Sequence, residues 1–155
     1  MNNQTYTQIC IPAGKHGANG EELFDLLSPL IEHFSTSFVV ASDTDAVGPT
    51  RTKILTKTGE LKIESSHLYL RDLKQCTQVV WTTLFFCSDN QNPEYLEADE
   101  DYTESLPKAA FLARVVDAGY YYLYFPTETA PQFDTASFPG IEYKTGYLND
   151  LDFPE

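Results

Sequence analysis

The sequence predicts an α+β fold: one domain with a mostly antiparallel sheet, two helices packed on one face and an extended, aromatic-rich C-terminal tail. Three observations lead there. Short β-type runs are joined by hairpin-like turns rather than long crossovers. Two segments carry apolar residues at helical spacing. The 155 residues contain no repeat and no composition break that would separate domains, so residues 1–155 read as one unit. A hydrophobic content of 42% supplies a core without disulfides or a metal.

The elements follow in chain order. Tyr6 to Ile11 reads as a strand. A Gly-rich link, Pro12 to Gly20, precedes Leu23, Phe24, Leu27, Leu30, Ile31 and Phe34 at helical spacing. Asn19 suits the N-cap, and Glu21 and Glu22 suit the positive end of the helix dipole. Pro29 should kink or split this helix near Ser28, with the helix ending around His33. Ser37 to Ala41 reads as a strand, and Asp43 to Pro49 as a loop. Thr52–Thr56 and Leu61–Ser65 flank Thr58-Gly59, a hairpin signal. His67 to Leu70 alternates as a strand does, and Arg71 to Gln75 forms a short connection. Gln78 to Cys87 is the strongest strand, apolar enough to be central and covered on both faces. Pro107 then opens an expected helix through Val116, with Gly119 as its cap. Tyr120 to Phe125 is a strand that Pro126 ends. From Thr127 onward the aromatics Phe133, Phe138, Tyr143, Tyr147 and Phe153 recur without a period. This tail, 127–155, should pack onto the body and add an edge strand.

Charge is the most informative feature. Lys and Arg number 10 against 23 Asp and Glu, a net of -13. Residues 81–155 hold fourteen of the acids and three bases, Lys108, Arg114 and Lys144. The densest part, within the 89–106 loop, contains Asp89, Glu94, Glu97, Asp99, Glu100, Asp101 and Glu104 with no Lys or Arg. Tyr95 and Tyr102 are set into it. A run of like charges ordinarily makes a solvated loop that keeps a protein soluble. The tyrosines favour a sharper reading, because such side chains anchor binding surfaces. In an extended chain, Glu97, Asp99 and Asp101 would stand roughly 6–7 Å apart along one face, a usable ladder for Lys and Arg. The run Tyr120 to Phe125 adds a second surface, with Tyr120, Tyr122 and Tyr124 on one strand face.

Several function classes are disfavoured. Net negative charge opposes nucleic acid and anionic lipid as direct partners. The N-terminal residues have neither a basic n-region nor an apolar h-region, and no apolar run approaches 18 residues. Cys10, Cys76 and Cys87 read as small hydrophobes in a reducing compartment, so a cytoplasmic location is expected. His16, His33 and His67 have no metal-ligand spacing, and Asp43-Thr44-Asp45 lacks a Glu-terminated loop. The glycines at 14, 17 and 20 match neither phosphate-binding pattern. No G-x-S-x-G is present. The expectation is therefore no cofactor, no metal, no nameable catalytic residue, and a protein that leans away from enzymes.

The sequence thus points to a small acidic interaction module. Its partner would be a basic protein, such as a nuclease toxin or a nucleic-acid-binding protein, whose active or nucleic-acid-binding surface it covers. Immunity proteins, antitoxins and nucleic-acid mimics work this way. The binding residues would be Asp89, Glu94, Tyr95, Glu97, Asp99, Glu100, Asp101, Tyr102, Glu104, Tyr120, Tyr122 and Tyr124. The alternative is a small α+β enzyme or ligand-binding domain with an aromatic-lined pocket. A subunit of a larger acidic assembly is a third class.

Overall fold

Helix-forming and strand-forming stretches alternate along the chain, and their apolar faces meet in two layers. The computed structural model describes residues 4–57, 59–97 and 102–155. In chain order the elements are β1 (Tyr6–Pro12), α1 (Gly20–Phe34), β2 (Thr36–Val47), α2 (Arg51–Ile54), β3 (Lys62–Ser65), α3 (Ser66–Lys74), β4 (Gln78–Ser88), α4 (Tyr102–Ser105), β5 (Phe111–Val116), β6 (Tyr120–Pro126) and β7 (Glu142–Gly146). The strands form one antiparallel sheet in the order β3-β2-β4-β5-β6-β1-β7. This is an α+β architecture.

The main core lies on the helix side. Leu23, Leu27 and Ile31 of α1 and Leu70 and Leu73 of α3 pack onto Val39, Leu84, Phe86, Phe111, Leu123 and Phe125 of the sheet. Strand alternation sends Val40, Phe85, Leu112 and Tyr124 to the opposite face. No helix of comparable length covers that face among the described residues. Leu96, Leu106, Ala109 and Leu151, from the segment after β4 and from the tail, bury it instead. Both faces of the central strands are therefore apolar, as the composition of Gln78–Cys87 predicts.

The Gly-rich link is a structural junction. Ala18 is fully buried; its N–H donates to Ala118 O at 2.7 Å, and its carbonyl accepts from Val79 N–H at 2.9 Å. Gly20 N–H donates to Cys76 O at 3.0 Å. A Cβ on Gly20 would stand 1.9 Å from Leu73 O, so only glycine allows α1 to approach the end of α3. Asn19 caps α1, its Oδ1 accepting from Glu22 N–H at 2.8 Å.

Five sequence expectations are corrected, the first being the loop at Asp43–Pro49, where β2 instead runs on to Val47 in pairing with β4. Pro107–Val116 is not a helix: Leu106–Lys108 is a 3-10 turn, and Phe111–Val116 is β5, buried along its whole length. A short apolar run looks alike as a buried helix or as a strand covered on both faces, and pairing with β4 and β6 decides it here. Conversely, His67–Leu70 lies in α3, because Tyr69, Leu70 and Leu73 together make a helical face that packs in the core with α1. The expected hairpin at Thr52–Thr56 is a single helical turn, α2, and β3 pairs with β2. Helix α1 runs unbroken through Pro29 to Phe34. Pro29 and Asp25 are both exposed, so water can reach the Asp25 carbonyl that the proline leaves free. In the tail, Glu142–Gly146 forms the edge strand β7 on β1.

Replacing Gly20 by Ala should lower stability by more than about 2 kcal/mol, since backbone oxygen at that distance cannot yield cheaply. The control is Gly59→Ala, where a Cβ meets nothing within 4 Å and only the positive φ of 78° is strained. It should cost about 1 kcal/mol. Urea denaturation of both variants checks the difference.

Candidate functional site

The acidic segment is built around inward-pointing apolar residues. After β4, Asn92 Oδ1 accepts from Glu94 N–H at 3.0 Å and starts a 3-10 turn at Pro93–Tyr95. Leu96 then drops into the second core. Past α4, Leu106 is fully buried and Ala109 nearly so. With these pins inward, Asp89, Glu94, Glu97 and Glu104 are left outward and exposed. Tyr95 stands 67% exposed among them. Lys108 Nζ donates to Tyr95 O at 3.1 Å, and the Ser37 hydroxyl donates to an Asp89 carboxylate oxygen. Among the described parts, then, the segment is a seated cover that carries carboxylates on its outer side. Asp99, Glu100 and Asp101 lie outside the described residues.

The tyrosines divide. Tyr120, Tyr122 and Tyr124 share the strand face the alternation predicts, but cover increases along the row. Tyr120 is 47% exposed, Tyr122 half-buried and Tyr124 fully buried. Phe153 from the tail stacks on Tyr124, ring centroids 4.7 Å apart, and on Tyr102 at 4.9 Å. The Tyr124 hydroxyl donates to Asp152 O at 2.7 Å. Tyr124 is thus a packing residue rather than a partner anchor, because the tail closes over it, while Tyr102 is half-buried between the tail and Arg114. Tyr95 and Tyr120 remain open.

Arg114, one base within the expected helix, is a functional candidate that composition alone does not reveal. As a β5 residue it projects onto the covered face, between Thr83 of β4 and Tyr122 of β6. It is only 4% exposed. Its guanidinium lies 4.7 Å from the Tyr102 ring centroid, and Nε and Nη1 have no hydrogen-bond partner. A cavity of about 340 Å³ opens beside it, also lined by Asp43, Asp45, Trp81, Thr83, Tyr102 and Glu155. An irregularity in β2 shapes this mouth. Asp43 has φ 49°, and the register shifts between Ser42 and Asp45. That turns Thr44 inward, to Thr82 at 2.8 Å and Tyr69 at 3.3 Å, and leaves Asp43 and Asp45 exposed. A lone Arg in the run Phe-Leu-Ala-Arg-Val-Val was the available signal.

Other chemistry is muted. Burial pushes the thiols of Cys10, Cys76 and Cys87 upward, Cys87 to about 11, which keeps them protonated and poor nucleophiles at neutral pH. No group of three or more His, Cys, Asp or Glu side chains converges for a metal among the described residues. No helix among them is long and apolar enough to cross a membrane. Compared with family models, curated proteins and solved structures, the chain has no match.

Two outcomes follow from this packing. Leu106→Ala should cost about 2–5 kcal/mol in urea denaturation, whereas Tyr95→Ala should stay within about 0.5 kcal/mol of the parent. Stability should also fall at alkaline pH. Burial raises Cys87 from 9.0 to about 11, and Tyr69 and Tyr122 from 10.0 to about 12. The folded state therefore holds these protons more tightly than the unfolded chain. Their contribution is complete below pH 9.0 and is lost as pH rises through the folded values. Urea midpoints should be flat up to that point and decline above it; a midpoint that rises there would contradict the assignment.

Proposed function

We propose that this protein is an acidic interaction module that covers the active or nucleic-acid-binding surface of a basic partner protein, as immunity proteins, antitoxins and nucleic-acid mimics do. One observation carries the reading. Glu94, Glu97 and Glu104 and the exposed ring of Tyr95 sit on a segment whose Leu96 and Leu106 are pinned in the core. A floppy solvated loop needs no such pins. A seated cover loses little conformational entropy on binding, so more of its contact energy appears as affinity.

The physical logic has two parts. Fourteen of the 23 acids fall in residues 81–155, against three bases. Net negative charge attracts a positive patch and speeds encounter. Charge alone gives a weak contact, and Tyr95 and Tyr120 offer the amphipathic anchors that a desolvated centre requires. A nuclease groove, built to hold phosphates with Lys and Arg, has the complementary chemistry. Nucleic acid itself carries the wrong sign.

The test is capture of binding proteins from source-cell lysate at about 0.1 M and about 1 M salt, where charges act over about 10 Å and about 3 Å. A basic protein held at the lower salt and released at the higher is expected. The triple variant Glu94→Gln, Glu97→Gln, Glu104→Gln should then slow association with that protein at least about tenfold at low salt, with an unchanged melting temperature. Unchanged association kinetics in this variant would remove the acidic cover from the interface.

A further inference from the structure

We propose that the cavity beside Arg114 is a binding site for a free α-amino acid, with the ligand carboxylate on the guanidinium and the ligand ammonium between Asp43 and Asp45. This goes beyond the interaction surface and does not depend on it.

Arg114 is only 4% exposed and has a side-chain hydrogen bond with Tyr124, yet its Nε and Nη1 lack partners. Among the described residues no carboxylate forms an ion pair with it. A buried guanidinium with idle N–H groups is strongly unfavourable unless a ligand supplies acceptors. A carboxylate does so best, being planar and able to take two N–H bonds at once. The side chain is also preorganised. Its strand is hydrogen-bonded on both sides, and the Tyr102 ring stacks over the guanidinium.

Charge then selects among carboxylates. Asp43, Asp45 and Glu155 line the same cavity, so among the described residues its lining carries three acidic side chains against one basic. A plain anion would meet net repulsion, and a plain cation would leave Arg114 unpaired. A dipolar ligand satisfies both ends. The cavity of about 340 Å³ lies at the small end of ligand sites, which run about 300–1,000 Å³. That suits a single amino acid, and Trp81 and Tyr102 give its side chain aromatic walls.

The full-length protein should be titrated calorimetrically with each of the twenty L-α-amino acids, to about 10 mM. At least one should bind with a Kd below about 1 mM. For that amino acid, the N-acetyl derivative lacks the ammonium and the methyl ester lacks the carboxylate, so each should bind at least about tenfold more weakly. Asp43→Asn with Asp45→Asn should weaken the parent ligand by a similar factor. These positions are exposed, and Asn tolerates the positive φ at 43, so the melting temperature of the free protein should hold. Binding by none of the twenty overturns the proposal. So does an N-acetyl derivative or a methyl ester that binds as tightly as its parent.

Discussion

A broad sheet with helices on one side has a second apolar face that must be kept from water. Here that face contains Val40, Phe85, Leu112 and Tyr124, and the rest of the molecule is arranged around covering it. The segment after β4 contributes Leu96, Leu106 and Ala109, and the tail contributes Leu151 and Phe153. Beside these inward residues, Glu94, Glu97 and Glu104 are exposed. In the described parts of this segment, exposed carboxylates and buried apolar residues lie side by side. The same cover reaches Arg114 through the Tyr102 ring and leaves a cavity beside it, lined also by Trp81 and Thr83.

Charge of both signs is exposed on the helix layer, where α1 carries Glu21, Asp25 and Glu32. Helix α3 beside it carries the exposed Arg71 and Lys74. Lys74 sits over the Phe24 ring at 4.4 Å, which ties it to α1.

Elements that carry their own punctuation were legible in the sequence. Asn19 and the spacing of Leu23, Leu27 and Ile31 announce α1, and the apolar density of Gln78–Cys87 and Tyr120–Phe125 announces β4 and β6. Short segments were not, because their state is decided by distant partners. Phe111–Val116 has helical spacing, but β4 and β6 offer it two ladders of hydrogen bonds. His67–Leu70 alternates over four residues, too few to tell from a helix that continues to Lys74. The candidate site shows the same division. The outward acids and Tyr95 follow from local composition. The burial of Tyr124 and half-burial of Tyr102 depend on Phe153, many residues away, and composition alone does not reveal this. Arg114 was hidden by the helix expectation, since its significance requires knowing that it lies on a strand with apolar neighbours on both sides.

The sheet order has a consequence for how the chain reaches this state. β1, the earliest strand in the sequence, ends up between β6 and β7. Its partners at Tyr120–Pro126 and Glu142–Gly146 are therefore made last. At about 5–20 residues per second, β1 waits roughly 5–20 s in a nascent chain before its first ladder can form. Closing so long a loop is slow, and an unpaired apolar strand such as Ile9–Ile11 is open to wrong pairings in the interval. Fidelity during synthesis, rather than stability once folded, is where this topology is most exposed.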